Sequence, residues 1–318
     1  RPENLQDLQE RTDNGSLHST PFPSETLCLT TDAELLRSLA FPQMLDRRDN
    51  IESRHINTCQ WILELKKYHS WRNQRCGLLW IKGGPGAGKS TLMLFLHNRL
   101  KEVQNGNLRD GSQGCIWLDF FFTAPQQPVT ILVDALDEAG AESAQYLAAY
   151  FHRLIDCAKK KNLKLALQVC ISCRHYPIVE STQAIEIHVE AHNQNDIAAY
   201  SKDLLIDTDP IMEDSPGQAP GEVLVGELIQ HANGVFQWVR LTIPLIKQRA
   251  LEGESMDDIR SWLREVPAGL EDVYVYILNN VIAARNRDQS LLFFQWVCFA
   301  EQPLTVTEMR YALAAKNA

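Results

Sequence analysis

The octapeptide Gly83–Ser90, GGPGAGKS, follows the apolar run Gly77–Ile81 and precedes Thr91–Leu96, TLMLFL. Its pattern is G-x-x-x-x-G-K-[ST], and its neighbours predict a strand, a tight loop and a helix in that order. No other stretch limits the fold as much. The glycines let the backbone take positive φ and wrap closely. Loop N–H groups and the helix N-terminus then converge on one point, which suits phosphate oxygens. Lys89 can reach a β- or γ-phosphate, and Ser90 can offer its hydroxyl to Mg²⁺. Gly83, Gly84, Pro85, Gly86, Ala87, Gly88, Lys89, Ser90 and Thr91 are the predicted nucleotide-binding residues.

A second signal is Ile131–Glu138, ILVDALDE. Four strand-forming residues end in a carboxylate, and P-loop hydrolysis requires a carboxylate at the end of a neighbouring strand. Asp134 is the predicted Mg²⁺-shell residue, paired with Ser90. Asp137 and Glu138 follow in the loop, where either can orient or activate water. The third signal is Val169–Pro177, VCISCRHYP. It predicts a strand with Arg174 at its tip, where a guanidinium can sense a γ-phosphate. Asp137, Glu138 and Arg174 are the predicted catalytic residues.

The 318 residues are enough for two or three domains. With 31 basic and 40 acidic residues the net charge is −9. That balance argues against nonspecific binding to nucleic acid or to anionic membranes. It does not oppose nucleotide binding, which needs only local positive charge. The longest strongly apolar run, Leu291–Ala300, is too short to span a bilayer. No signal peptide opens the chain, and a start at Arg1 implies a piece cut from something longer. Of eight cysteines only Cys170 and Cys173 form a C-x-x-C, with no second pair to complete a zinc site. Reduced, structural thiols in a cytoplasmic protein are expected.

Polar residues with Pro21 and Pro23 mark 1–37 as a flexible linker. Apolar positions Ile56, Cys59, Ile62 and Leu65 predict an amphipathic helix over Glu52–Trp71 that forms one wall of an adenine pocket. Strands are predicted at Cys115–Phe122, Val129–Asp134, Leu163–Ile171 and Ala184–Val189, with a helix over Ala141–Ala158. Alternation of this kind implies an α/β fold, a parallel sheet flanked by helices. Beyond about residue 192 the pattern is helical. Pro244 should kink or break a helix at Phe236–Leu251. Ser255-x-x-Asp258 and Thr305-x-x-Glu308 should each cap a helix.

These elements together resemble the NACHT-type ATPases of the STAND class. The resemblance is strongest to fungal NOD-like proteins and the nephrocystin-like NACHT group. It rests on FPQMLDRRDNI, TCQWIL, GLLWIKGGPGAGKSTLM, FFF, ILVDALDE, ISCRHYP, HNQNDIAAY, GVFQWV and AEQPLTVTEMRYAL. The resemblance implies a nucleotide-binding domain over 38–191, a small helical domain over 192–253, and a helical region with a truncated winged-helix start over 254–318. It also implies a signalling switch that binds ATP or ADP with Mg²⁺, hydrolyses ATP slowly and self-associates when ATP-bound. Effector and sensor domains of such proteins are absent from this chain.

One departure from the family stands out. Only Thr123–Pro128 separates FFF from the acidic strand, whereas a parallel crossover needs about a dozen residues. Strand 115–122 should therefore pair antiparallel, shorten or leave its place, unless a segment is deleted near 123–128, which is the favoured expectation. Two functions remain open: a nucleotide switch with slow turnover, and a module that binds nucleotide without catalysis. A small-molecule kinase fits poorly, because no acceptor-binding segment or lid stands out.

Overall fold

The computed structural model describes residues 51–104, 116–117, 129–160, 166–175, 184–207, 220–302 and 304–315. All of them belong to one compact unit, Phe41–Ala318. The expected linker 1–37, FPQMLDRRDN at 41–50 and the expected deletion near 123–128 lie outside the described residues.

Among the described residues five strands form the sheet: β1 (Cys76–Lys82), β2 (Ile116–Trp117), β3 (Val129–Val133), β4 (Leu167–Cys173) and β5 (Ile185–His188). Their order is β2-β3-β4-β1-β5, and every pair is parallel. Continuous apolar strands such as CGLLWIK suit a sheet covered on both sides. Side chains alternate between faces. Leu78 and Trp80 join one buried cluster with Val169 and Ile171, while Leu79 and Ile81 join another with Cys170 and Ile187. Helix α1 (Lys66–Arg72) and helix α2 (Lys89–Gln104) cover the second face. Helix α3 (Ala141–Lys160) covers the first.

Several expectations need correction. Strand β3 is not the immediate neighbour of β1, because β4 lies between them. Strand β2 pairs parallel with β3, Ile116 opposite Val129, which removes the antiparallel alternative. The sequence places Tyr146, Leu147, Tyr150, Phe151, Leu154 and Ile155 on one stripe of α3, and the two tyrosines depart from it: Ile155 is buried and Leu147, Phe151 and Leu154 pack partly buried against the sheet cluster. Ala144, Ala148, Ile155 and Ala158 are buried, whereas Tyr146 and Tyr150 are exposed. The alanines bring the helix close to the sheet, and the phenols keep their hydroxyls in water.

The helix expected over Glu52–Trp71 is not one element. Residues 52–59 are irregular, Gln60–Glu64 is a 3₁₀ turn, and α1 begins at Lys66. The break is a packing effect. Cys59 takes a left-handed φ of 67°, and its N–H is captured by Asp196 from far along the chain. Periodicity could not anticipate a long-range acceptor.

Helices α4 (Gln194–Lys202), α5 (Pro220–Ala232), α6 (Phe236–Leu251), α7 (Met256–Glu265), α8 (Leu270–Tyr276), α9 (Ala284–Phe299) and α10 (Val306–Ala314) complete the chain. One apolar cluster runs from Ile197 to Val273 and includes Trp238, Ile259 and Leu263, so packing continues across the expected boundary at 253. Helix α6 passes through Pro244 without ending. Ser255 accepts the Asp258 N–H, and Thr305 with Glu308 forms a reciprocal capping box, both as expected. The molecule is an α/β P-loop fold joined to a helical region.

Candidate nucleotide-binding site

Loop 83–88 leaves β1 and enters α2 at Lys89. Gly86 and Gly88 have φ of 74° and 98°, conformations that suit glycine. A Cβ on Gly88 would meet nothing within 4 Å, so the backbone there faces open space. At Gly86 a Cβ would lie 2.7 Å from Gln237 Cβ, since α6 is docked against the loop. Lys89 Nζ donates to Gly83 O at 2.8 Å and Gly84 O at 2.9 Å, which folds the side chain over the loop. Burial pulls its ammonium below the ordinary lysine value, and Asp137 and Glu190 pull it back. A desolvated cation held among carboxylates is suited to meet phosphate.

Strand order decides how the acidic residues face this loop. Strand β4 separates β3 from β1 and supplies the link. Ser172 Oγ donates to Asp134 Oδ1 at 2.5 Å and accepts the Ala135 N–H at 2.8 Å. Ala135 sits at φ 53°, a left-handed position for a residue with a Cβ. Strain of this kind persists where surrounding bonds over-determine it. The turn Leu136–Ala139 then presents Asp137 and Glu138. Arg174, at the end of β4, pairs with Asp137 through Nε at 3.1 Å and through its own backbone N–H at 3.1 Å. Both Asp137 oxygens are thereby engaged.

A cavity of about 310 Å³ lies over Lys89 and Ser90 and is bounded by Asp137, Glu138 and Arg174. Asp134 does not line it, though its charge reaches Lys89. A second cavity of about 370 Å³ is lined by Ile56, Thr58, Trp61, Leu92, Tyr200 and Phe236, among others. Its walls come from the irregular segment 52–59, the start of α2, and helices α4 and α6. The 52–71 segment thus forms a pocket wall as expected, although not as a helix. The two cavities share Gly88, Thr91, Phe236 and Arg240. A mostly apolar pocket beside a polar one beneath a glycine loop matches the two ends of a nucleotide.

The predicted residues therefore meet: Pro85, Gly86, Gly88, Lys89, Ser90 and Thr91 with Asp137, Glu138 and Arg174. Several site residues carry no local sequence signal. Glu190, in the turn after β5, accepts the Gly84 N–H. Buried Asn193 donates from Nδ2 to Ala87 O at 3.1 Å and to Gly234 O at 2.7 Å. Gln237 N–H donates to Gly86 O at 3.0 Å. The Asn193 and Gln237 bonds tie the loop to the helical region, and the Glu190 bond ties it to the turn after β5. The only hint of Asn193 and Gln237 was their place in HNQNDIAAY and GVFQWV in the resemblance, and Glu190 lies in neither segment.

The C-x-x-C cysteines are structural in their surroundings. Cys170 and Cys173 are both buried, on opposite faces of β4. Burial pushes the Cys173 thiol up to about 11 and raises that of Cys170 as well. Neither is poised as a thiolate. No group of three or more His, Cys, Asp or Glu among the described residues could hold a metal. Mg²⁺ often relies on one or two protein ligands plus phosphate and water; of the two predicted metal residues, Ser90 lines the polar cavity and Asp134 lies behind it, bonded to Ser172.

Residues 57–124 match the family described as Nephrocystin 3, N-terminal. The match runs from the pocket wall through the P-loop. No curated protein matches the chain. Among solved structures, 34 chains match. One is the ORC2 protein of Aeropyrum pernix, solved as ADPNP–ADP complexes, at 12% identity and a TM-score of 0.33. That alignment covers 93% of this chain and 87% of that one. No helix among the described residues is long and apolar enough to cross a membrane.

Proposed function

We propose that this chain is a P-loop nucleotide switch of the NACHT kind, part of an NLR-like cytoplasmic signalling protein. It binds ATP or ADP with Mg²⁺ and hydrolyses ATP slowly. The observation that carries this reading is the junction of the two cavities at Gly88 and Thr91, with Lys89 beneath the polar one. In this reading loop amides and Lys89 hold the phosphates; Ser90, and Asp134 through water, would hold Mg²⁺, which would neutralise phosphate charge. Glu138 orients water, and Arg174 exchanges Asp137 for the γ-phosphate. The exchange would alter how the loop meets α6, and self-association would follow from that change.

The test is calorimetric binding of ATP, ADP and GTP, with phosphate release measured in parallel. Lys89→Ala should abolish binding, and Glu138→Ala should bind but not hydrolyse. Absence of heat with every nucleotide on folded protein would end the reading. The second reading, a non-catalytic nucleotide-binding module, draws on the Arg174–Asp137 pair, which engages both Asp137 oxygens. Tight binding with turnover equal to that of Glu138→Ala would favour it.

A further inference from the structure

We infer that Arg240 is a nucleotide ligand contributed by the helical region, contacting the phosphate nearest the ribose, and that Glu52 competes with that phosphate for its guanidinium. This rests on the nucleotide reading above. Arg240 lies on α6, one turn beyond the residues that dock on the loop, and lines both cavities. The residues it shares that position with are Gly88, Thr91 and Phe236. A cation at the junction of an apolar pocket and a phosphate chamber faces the place where base-plus-sugar gives way to phosphate. Lys89 and Arg174 line only the far chamber. Of the two cavities Arg54 lines only the base pocket, and its guanidinium is turned to the Thr58 carbonyl at 2.9 Å and lies over the Phe95 ring. Arg240 is the cation that reaches both.

Glu52 Oε2 meets Arg240 Nη1 at 2.6 Å. The pair is exposed, with 69% of the Glu52 side chain and 38% of the Arg240 side chain accessible. Exposed ion pairs of this kind are weak, and a phosphate offers the guanidinium charge-assisted bonds of the same class as a carboxylate's. The exchange therefore costs little. Its consequence is mechanical. Glu52 begins the irregular segment that walls the base pocket, so a phosphate that takes Arg240 releases one hold on that wall. His55 retains another, through Nε2 to Asp203 Oδ2 at 2.8 Å. Nucleotide would loosen the start of the segment while its middle stays attached.

The experiment measures ATP and ADP affinity by calorimetry for wild type, Lys89→Ala, Arg240→Ala, Arg240→Lys, Glu52→Gln and the double variant Glu52→Gln/Arg240→Ala. Arg240→Ala should weaken both nucleotides about tenfold or more, equally, because both carry the near phosphate. Glu52→Gln should tighten both about two- to fivefold by removing the competitor. In the double variant the gain should vanish. Arg240→Lys keeps charge and stem and should lose less, which guards against a folding defect in the alanine variant. Unchanged affinity in Arg240→Ala, a loss confined to ATP, or weakening by Glu52→Gln would each overturn the inference. If wild type binds and Lys89→Ala does not, those outcomes fall on Arg240 alone. If wild type binds neither nucleotide, the underlying reading fails with it.

Discussion

Cys59 occupies a left-handed backbone conformation that costs a residue with a Cβ roughly 1–2 kcal/mol. Asp196 Oδ2 accepts its N–H at 2.8 Å and the Trp61 indole N–H at 3.0 Å. Hydrogen bonds to a charged group contribute about 1.5–3 kcal/mol each, enough to offset that strain. Asp196→Ala should therefore cost at least about 1–3 kcal/mol in denaturant melts, since a buried donor is left unpaired. Asp196→Asn keeps an acceptor and should cost less. Burial raises the Asp196 carboxyl above its ordinary value, and the two bonds lower it only in part. Over the window between the unfolded and folded values the native state binds more protons, so stability from this group falls as pH rises through it. The stability of Asp196→Asn relative to wild type should therefore improve as pH is raised through that window and level off above it. Chemical denaturation at a series of pH values from the ordinary Asp range upward checks the sign.

At the scale of elements, α6 shows two competing rules. Pro244 lacks an N–H and cannot bond the Arg240 carbonyl, and an interior proline costs about 3 kcal/mol. The helix survives because Trp238, Val239, Ile243 and Ile246 are buried along it, while Pro244 itself is exposed. Packing outweighs the local defect. Pro244→Ala should raise stability by about 1–3 kcal/mol, read as a higher thermal midpoint. Unchanged stability would mean that the helix was already relaxed around the proline. Gly86→Ala belongs to the same scale. Its Cβ would strike Gln237 Cβ at 2.7 Å while φ is 74°, so α6 must withdraw. Nucleotide affinity should fall at least about tenfold, and the Gly86 O···H–N Gln237 bond should be lost, visible as faster amide exchange at Gln237.

For the whole molecule, the loop is joined to the helical region by Asn193 and Gln237 rather than by chain continuity. Ligand at the loop should therefore stabilise both parts. At a hundredfold excess over its dissociation constant, nucleotide should add about 2.7 kcal/mol. Hydrogen exchange should slow in the first turn of α6 as well as in 83–91. Protection confined to the loop would mean that the two parts respond independently. Lys89→Ala should show neither effect.

The amino-acid sequence by itself determined the loop, the three acidic positions after β3, the arginine at the tip of β4, and the change from alternating strands to helices. Each is a local pattern: glycines that free φ, apolar runs of strand length, carboxylates beside them. It could not determine that β4 separates β1 from β3, that alanines rather than tyrosines of α3 face the sheet, or that 52–59 abandons the helical period. Nor could it single out Glu190, Asn193, Asp196 or Arg240, whose partners lie tens to almost two hundred residues away. Tertiary structure decided those, because a buried N–H must find an acceptor and a guanidinium a carboxylate wherever the folded chain provides one.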